Sequence, residues 1–148
     1  MDYSPILVPV VALVAWSLIM CLWMAVTRLP AMKKAGISID GLVGGRGANL
    51  EGVVPDQVQW KSHNYSHLME QPTIFYAIAI TLALMDMGSD LNYWLAWAYV
   101  GFRVIHSLVQ ATVNVVKYRL LLFVLSTACL IGLTIHAAAR VIHDCLGG

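Results

Sequence analysis

The sequence predicts an all-α integral membrane protein, a four-helix bundle, and three observations carry that reading. Apolar residues make up 59% of the 148-residue chain and charged residues only 11%, against roughly 25% charged in ordinary soluble domains. Three windows, Ile6–Val26, Tyr93–Val113 and Leu120–Ala139, each approach the ~20 apolar residues a helix needs to cross a bilayer. The charges are also sorted along the chain. Arg28, Lys33, Lys34 and Arg46 follow the first window, and Lys117 and Arg119 precede the last. The segment MDMGSDLN between them has Asp86 and Asp90 but no Lys or Arg. The positive-inside rule then puts both basic connections in the cytoplasm and both termini outside.

The expected spans, within a single domain of residues 1–148, are 6–26, 57–87, 92–114 and 119–140. The first lacks the basic start of a signal peptide, and Leu29-Pro30-Ala31 is a poor cleavage site, so a retained helix is expected. The cytoplasmic connection 28–56 is rich in glycine. Its GLVGGRG lacks the Lys-Ser/Thr ending of a Walker A loop and does not match GxGxxG, so a flexible loop is expected. Pro55 with Asp56 marks the start of the second helix, and Pro72 inside that helix is expected to kink it. Tyr93, Trp94, Trp97 and Tyr99 suit an interfacial belt at the outer end of the third span. No Gly or Pro separates the third span from the fourth, so the cluster Asn114 to Arg119 must supply a tight turn, expected near residues 114–118.

Other classes are disfavoured. A net charge of +1 gives no bulk attraction to nucleic acid. The three cysteines, Cys21, Cys129 and Cys145, show neither a disulfide framework nor zinc spacing. His136, Arg140 and His143 would place a cation among metal ligands, so an interfacial polar stripe is the preferred reading and no metal is expected.

An arginine near mid-span costs about 2.5–3.5 kcal/mol on the insertion scale and needs a partner or a wet cavity. At 100° per residue, Arg103, Ser107, Gln110, Asn114 and Lys117 fall within about 40° of one line, with His106 about 60° away. His63, Ser66, His67 and Glu70 form a matching stripe on the second helix. Glu70 is the one carboxylate there deep enough to meet Arg103. Two facing stripes would make a polar cavity open to the cytoplasm. Its surplus of cations would attract a carboxylate-rich or phosphorylated ligand.

The segments HNYSHLMEQPTIFY and FRVIHSLVQATVNVVKYR resemble the MAPEG superfamily, the membrane-associated proteins of eicosanoid and glutathione metabolism, and its bacterial branch most closely. The family's Asn-x-x-Glu pattern on helix two is matched by His67 and Glu70, and its Arg-x-x-His pattern on span three by Arg103 and His106. Arg119 matches the basic residue opening span four, and Arg28 one closing span one. The resemblance implies a homotrimer binding glutathione, as co-substrate, between neighbouring subunits near the cytoplasmic face. Arg28, His63, His67, Glu70, Arg103, His106 and Gln110 would bind it, and Arg119 would stabilise the catalytic thiolate. His67 stands in place of Asn. Gln110, Leu120 and Phe123 replace a Tyr, a Ser and a Tyr carried by the family's prostaglandin E synthase, which counts against isomerase chemistry.

The expected function is therefore a glutathione-dependent transferase or peroxidase in a bacterial inner membrane, with its active site towards the cytoplasm. Its partners would be glutathione or a similar low-molecular-weight thiol, a hydrophobic or lipid-like electrophile or hydroperoxide, and membrane lipid. The alternative is a non-enzymatic membrane protein that binds an anionic lipid headgroup or scaffolds partners. A proton pathway lined by His63, His67 and His106 is a third reading, disfavoured by the fixed cations.

Overall fold

The structure, a computed structural model, describes residues 3–41 and 43–147. Among them five α-helices and one 3₁₀ turn follow in order: α1 Leu7–Lys34, the turn Gly47–Leu50, α2 Asp56–Leu68, α3 Gln71–Leu84, α4 Asp90–Thr112 and α5 Val116–Leu146. Core residues recur at helical spacing on three of them. Phe75, Ala79 and Leu82 of α3 meet Ala96, Tyr99 and Val100 of α4 and Leu130, Leu133 and Ala137 of α5, with Leu13 of α1 closing the cluster. Intervals of three and four place each set on one face, which the neighbouring helices bury.

Among the described residues only α1 and α5 are both long and apolar enough to cross a membrane. At 1.5 Å per residue they measure about 42 and 46 Å. Just 22% of the most apolar window of each is buried within the chain, so neither is the core helix of a soluble bundle. Leu18, Leu22 and Val26 of α1 and Leu121, Ile131 and Ile135 of α5 face outward, a surface suited to hydrocarbon.

Several expectations need correction. Helix α1 runs through Lys34, eight residues beyond the expected end of the first span, because Pro30 does not stop it. The expected single helix 57–87 is two helices, broken at Met69 and Glu70 rather than kinked at Pro72. A proline's ring clashes with the carbonyl four residues earlier, here that of Leu68, where α2 ends. The last turn tightens, with Met69 N–H donating to Ser66 and Glu70 N–H to His67. Pro72 then sits in the first turn of α3, where no N–H is missed. Tyr99 leaves the expected belt: it is fully buried and stacks on Phe75 at 4.3 Å. Tyr93, Trp94 and Trp97 do pack edge to face. The turn between α4 and α5 lies at residues 113–115, with Asn114 at φ +53°, a left-handed conformation that asparagine tolerates better than most residues.

The connection after α1 is not free. The Gly47 carbonyl accepts from Arg28 Nη2 at 3.0 Å and from Gln59 Nε2 at 3.1 Å, and Glu51 meets His63 at 3.2 Å. A Cβ on Gly47 would lie 2.8 Å from Arg28 Nη2, so a larger residue there would make the guanidinium shift.

A buried polar knot ties α1, α2 and α4 together. Trp16 Nε1 donates to Ser107 Oγ at 3.0 Å, and Asn64 Nδ2 donates to the same oxygen at 2.8 Å. Ser107→Ala orphans two donors, each worth about 1–3 kcal/mol when left unsatisfied in the interior. The variant is expected to unfold at a clearly lower temperature than the parent in detergent. An unchanged midpoint would show that the knot does not hold the three helices.

Candidate functional site

A helix break and a chain reversal build the site. The break at Met69 and Glu70 brings the last turn of α2 next to the first turn of α3, and the turn at 113–115 brings the start of α5 beside both. Between these ends lies an open cavity of about 620 Å³, within the usual range of small-molecule sites. His67, Glu70, Gln71, His106 and Arg119 supply its polar wall, and Ile74, Val116, Leu120 and Phe123 its apolar wall.

Each polar group is held differently. Arg119 Nη1 donates to Asn114 Oδ1 at 2.7 Å, whereas its buried Nε has no partner among the described residues. The αL asparagine that makes the turn thus also aims the guanidinium. His67 Nδ1 lies 3.4 Å from Glu70 Oε2, without hydrogen-bond geometry. Its ring stands nearly perpendicular to that of His106, with centroids 5.2 Å apart, and also faces Phe123. His106 is 3% exposed, opens on the cavity and makes no hydrogen bond among the described residues.

Behind this wall lies Arg103, 1% exposed. Its Nε donates to the Tyr99 hydroxyl at 3.3 Å, and its Nη2 donates to Gln71 Oε1. The guanidinium carbon sits 5.6 Å from the Tyr99 ring centre and 5.1 Å from that of Phe123. Gln71 is fixed in turn by donating to Thr127 Oγ1 at 2.9 Å. The expected Glu70–Arg103 pair does not form. Once Pro72 breaks the helix, Glu70 turns outward to His67 and Gln71 takes the inner place. Among the described residues no carboxylate pairs with Arg103 or with Arg119.

Of the residues singled out in the sequence, His67, Glu70, His106 and Arg119 therefore share one cavity. Arg103 reaches it through Gln71. Gln110 is buried off the cavity, with its Oε1 unpartnered. Arg28 is used instead by Gly47 and by Ser62, whose Oγ accepts at 3.2 Å, and His63 by Glu51. The near-linear stripe expected from Arg103 to Lys117 is cut short, because α4 ends at Thr112. Its Ser107 points into the helix knot rather than the cavity. Gln71, the relay to Arg103, was not foreseen; its position just before a helix-restarting proline was the available signal. Away from the cavity, His136 Nδ1 lies 2.6 Å from Asn92 Oδ1, and Arg140 and His143 both contact Asp144.

The all-helical chain with two membrane-length apolar helices is a membrane protein, and fixed cations and apolar walls meet at its cavity. The model of the MAPEG family matches residues 6–139, and the chain belongs to the MAPEG family. No curated protein and no solved structure matches the chain.

The double use of Asn114 is separable. Glycine adopts its backbone conformation freely but cannot bond Arg119. Asn114→Gly is expected to leave the thermal midpoint nearly unchanged while Arg119 becomes more reactive to phenylglyoxal, as read by mass spectrometry. Unaltered labelling would mean that Asn114 does not restrain the guanidinium.

Proposed function

We propose that the chain is a membrane-bound glutathione-dependent transferase or peroxidase acting on hydrophobic electrophiles or lipid hydroperoxides. The observation that carries this reading is the pair of guanidiniums, Arg119 on the cavity wall and Arg103 behind it, neither paired with a carboxylate among the described residues. In a low-dielectric setting such charge is costly unless an anion joins it. Glutathione, with two carboxylates, one ammonium and a thiol, answers that demand, and membership of the MAPEG family supports the choice. A similar low-molecular-weight thiol would satisfy the same groups.

In this reading Arg119 lies beside the sulfur. A neighbouring cation favours the thiolate over the thiol, which raises the amount of nucleophile at neutral pH. Glu70, exposed at the rim, meets the ammonium. His67, together with the field of Arg103 relayed by Gln71, receives a carboxylate. The apolar wall of Ile74, Val116, Leu120 and Phe123 accepts the hydrophobic substrate from the bilayer. Four membrane crossings would be completed by α4 and by the α2–α3 pair. Association as a homotrimer would cover the open side of the cavity with a neighbouring protomer, and the basic residues at and beyond the end of α1 would set the site towards the cytoplasm.

Calorimetry of the detergent-solubilised protein with glutathione is expected to show saturable heat, with bound thiolate visible in the ultraviolet at neutral pH. Arg119→Ala is expected to remove the thiolate absorbance; unchanged absorbance would end the role given to that residue. Gln71→Glu keeps the side chain's shape but sets a carboxylate against Arg103. It is expected to weaken glutathione binding by about tenfold, or about 1.4 kcal/mol, without lowering the thermal midpoint. Equal affinity in that variant would separate binding from the surplus charge.

A further inference from the structure

The connection between α1 and α2 has a cavity of its own. It occupies about 460 Å³ between the end of α1 and residues 43–47, where Arg28, Met32, Ile37, Gly44, Arg46 and Leu50 line it. That volume is within the range of small-molecule sites. Gly44 has φ +73°, and a Cβ there would meet nothing within 4 Å, so the crevice is open beside it. Neither guanidinium meets a carboxylate among the described residues. Arg28 is braced on two neutral oxygens, the Gly47 carbonyl and Ser62 Oγ, and Arg46 is exposed. Of the acids in the connection, Glu51 is held by His63. Asp40 lines an adjoining cavity together with Lys33, and Met32 and Ile37 are common to both cavities.

We propose that this crevice binds the phosphate of an anionic phospholipid, with Arg46 and Arg28 on the phosphate oxygens and Val43 and Ile39 against the acyl chains. The position along α1 gives the first reason. Residues Leu7–Thr27 precede Arg28 in the helix, and at 1.5 Å per residue they rise about 32 Å, close to the thickness of the hydrocarbon core. Arg28 and the crevice beyond it therefore stand at the level of the lipid phosphates. The second reason is the lip. Val43 is 99% exposed, Ile39 62% and Leu29 52%. A free phosphate makes no use of such side chains, whereas a lipid covers them while its headgroup meets the cations. The planar guanidinium fork matches phosphate oxygens. Lys33 and Lys34, both exposed at the end of α1, add positive potential at the same membrane surface. A zwitterionic lipid carries an ammonium for which the crevice supplies no carboxylate, so the anionic lipid is preferred. This site is separate from the cavity around Arg119 and does not depend on the glutathione reading.

The test labels the detergent-solubilised wild-type protein with phenylglyoxal in about 0.15 M salt, where distant surface charges are screened, and reads Arg46 by peptide mass spectrometry. Dioctanoylphosphatidylglycerol is expected to protect Arg46 saturably. Dioctanoylphosphatidylcholine, inorganic phosphate and glutathione at the same concentration are expected to leave it reactive. Arg46→Gln is expected to weaken phosphatidylglycerol binding, counted as adducts by native mass spectrometry, by about fivefold. Val43→Ser is expected to weaken it as well, and replacing Lys33 and Lys34 together by Gln to weaken it less than Arg46→Gln does. Arg46 and Val43 are both exposed, so their variants are expected to keep the parent's thermal midpoint. Protection by no lipid, or equal protection by the choline lipid, would overturn the proposal. Equal protection by inorganic phosphate would assign the crevice to a free anion, and by glutathione to the thiol, and either result would overturn the lipid. An equal loss in the double lysine variant would show diffuse attraction to the membrane surface in place of a site.

Discussion

An arginine buried without a carboxylate is the constraint around which this structure is arranged. Arg103 is held by a glutamine oxygen, a phenol and the faces of two aromatic rings. Each partner eases the burial of a cation without cancelling it. Aromatic faces attract a guanidinium through their quadrupole, and this is worth most where water is absent. The positive charge therefore survives into the cavity, where a pairing carboxylate would have extinguished it. Tyr99 is drawn away from the interface for the same purpose. Its ring stacks on Phe75 and its hydroxyl meets Arg103, so one side chain serves both core and charge.

The same economy governs the backbone. A helix break at Glu70 and a reversal at Asn114 bring three helix ends together, and each is made by a residue that lines or braces the cavity. Glu70 turns the chain and offers a carboxylate at the rim. Asn114 takes the left-handed conformation and holds Arg119. The site is thus set by where helices stop, and helix ends are positions that a few local residues dictate.

That explains what could be read from the sequence and what could not. Composition and apolar runs disclosed a helical membrane protein, and Pro55-Asp56 announced α2. Arg-x-x-His and the cluster ending at Arg119 pointed to the region where the cavity lies, since groups so polar within apolar surroundings must converge on something. The partner of Arg103 was misread because Glu70 looks inward on an unbroken helix. The break at Met69 and Glu70 rotates everything after it and exchanges Glu70 for Gln71. Helical periodicity carries no information across such a break. Arg28 was misplaced for another reason. Its partner is a backbone carbonyl supplied by Gly47, and a carbonyl leaves no trace in residue identity.

The two donors that meet on the Gly47 carbonyl give the long connection between α1 and α2 an unusual character. A segment rich in glycine ordinarily behaves as a tether, able to wander and to accept insertions. Here a single oxygen, gripped by α1 and α2 at once, divides that tether into two short arcs on either side of a fixed point. The arc beyond it is anchored again by Glu51 on His63 and by buried Leu50 and Val54, so the pinned segment holds α1 and α2 in register.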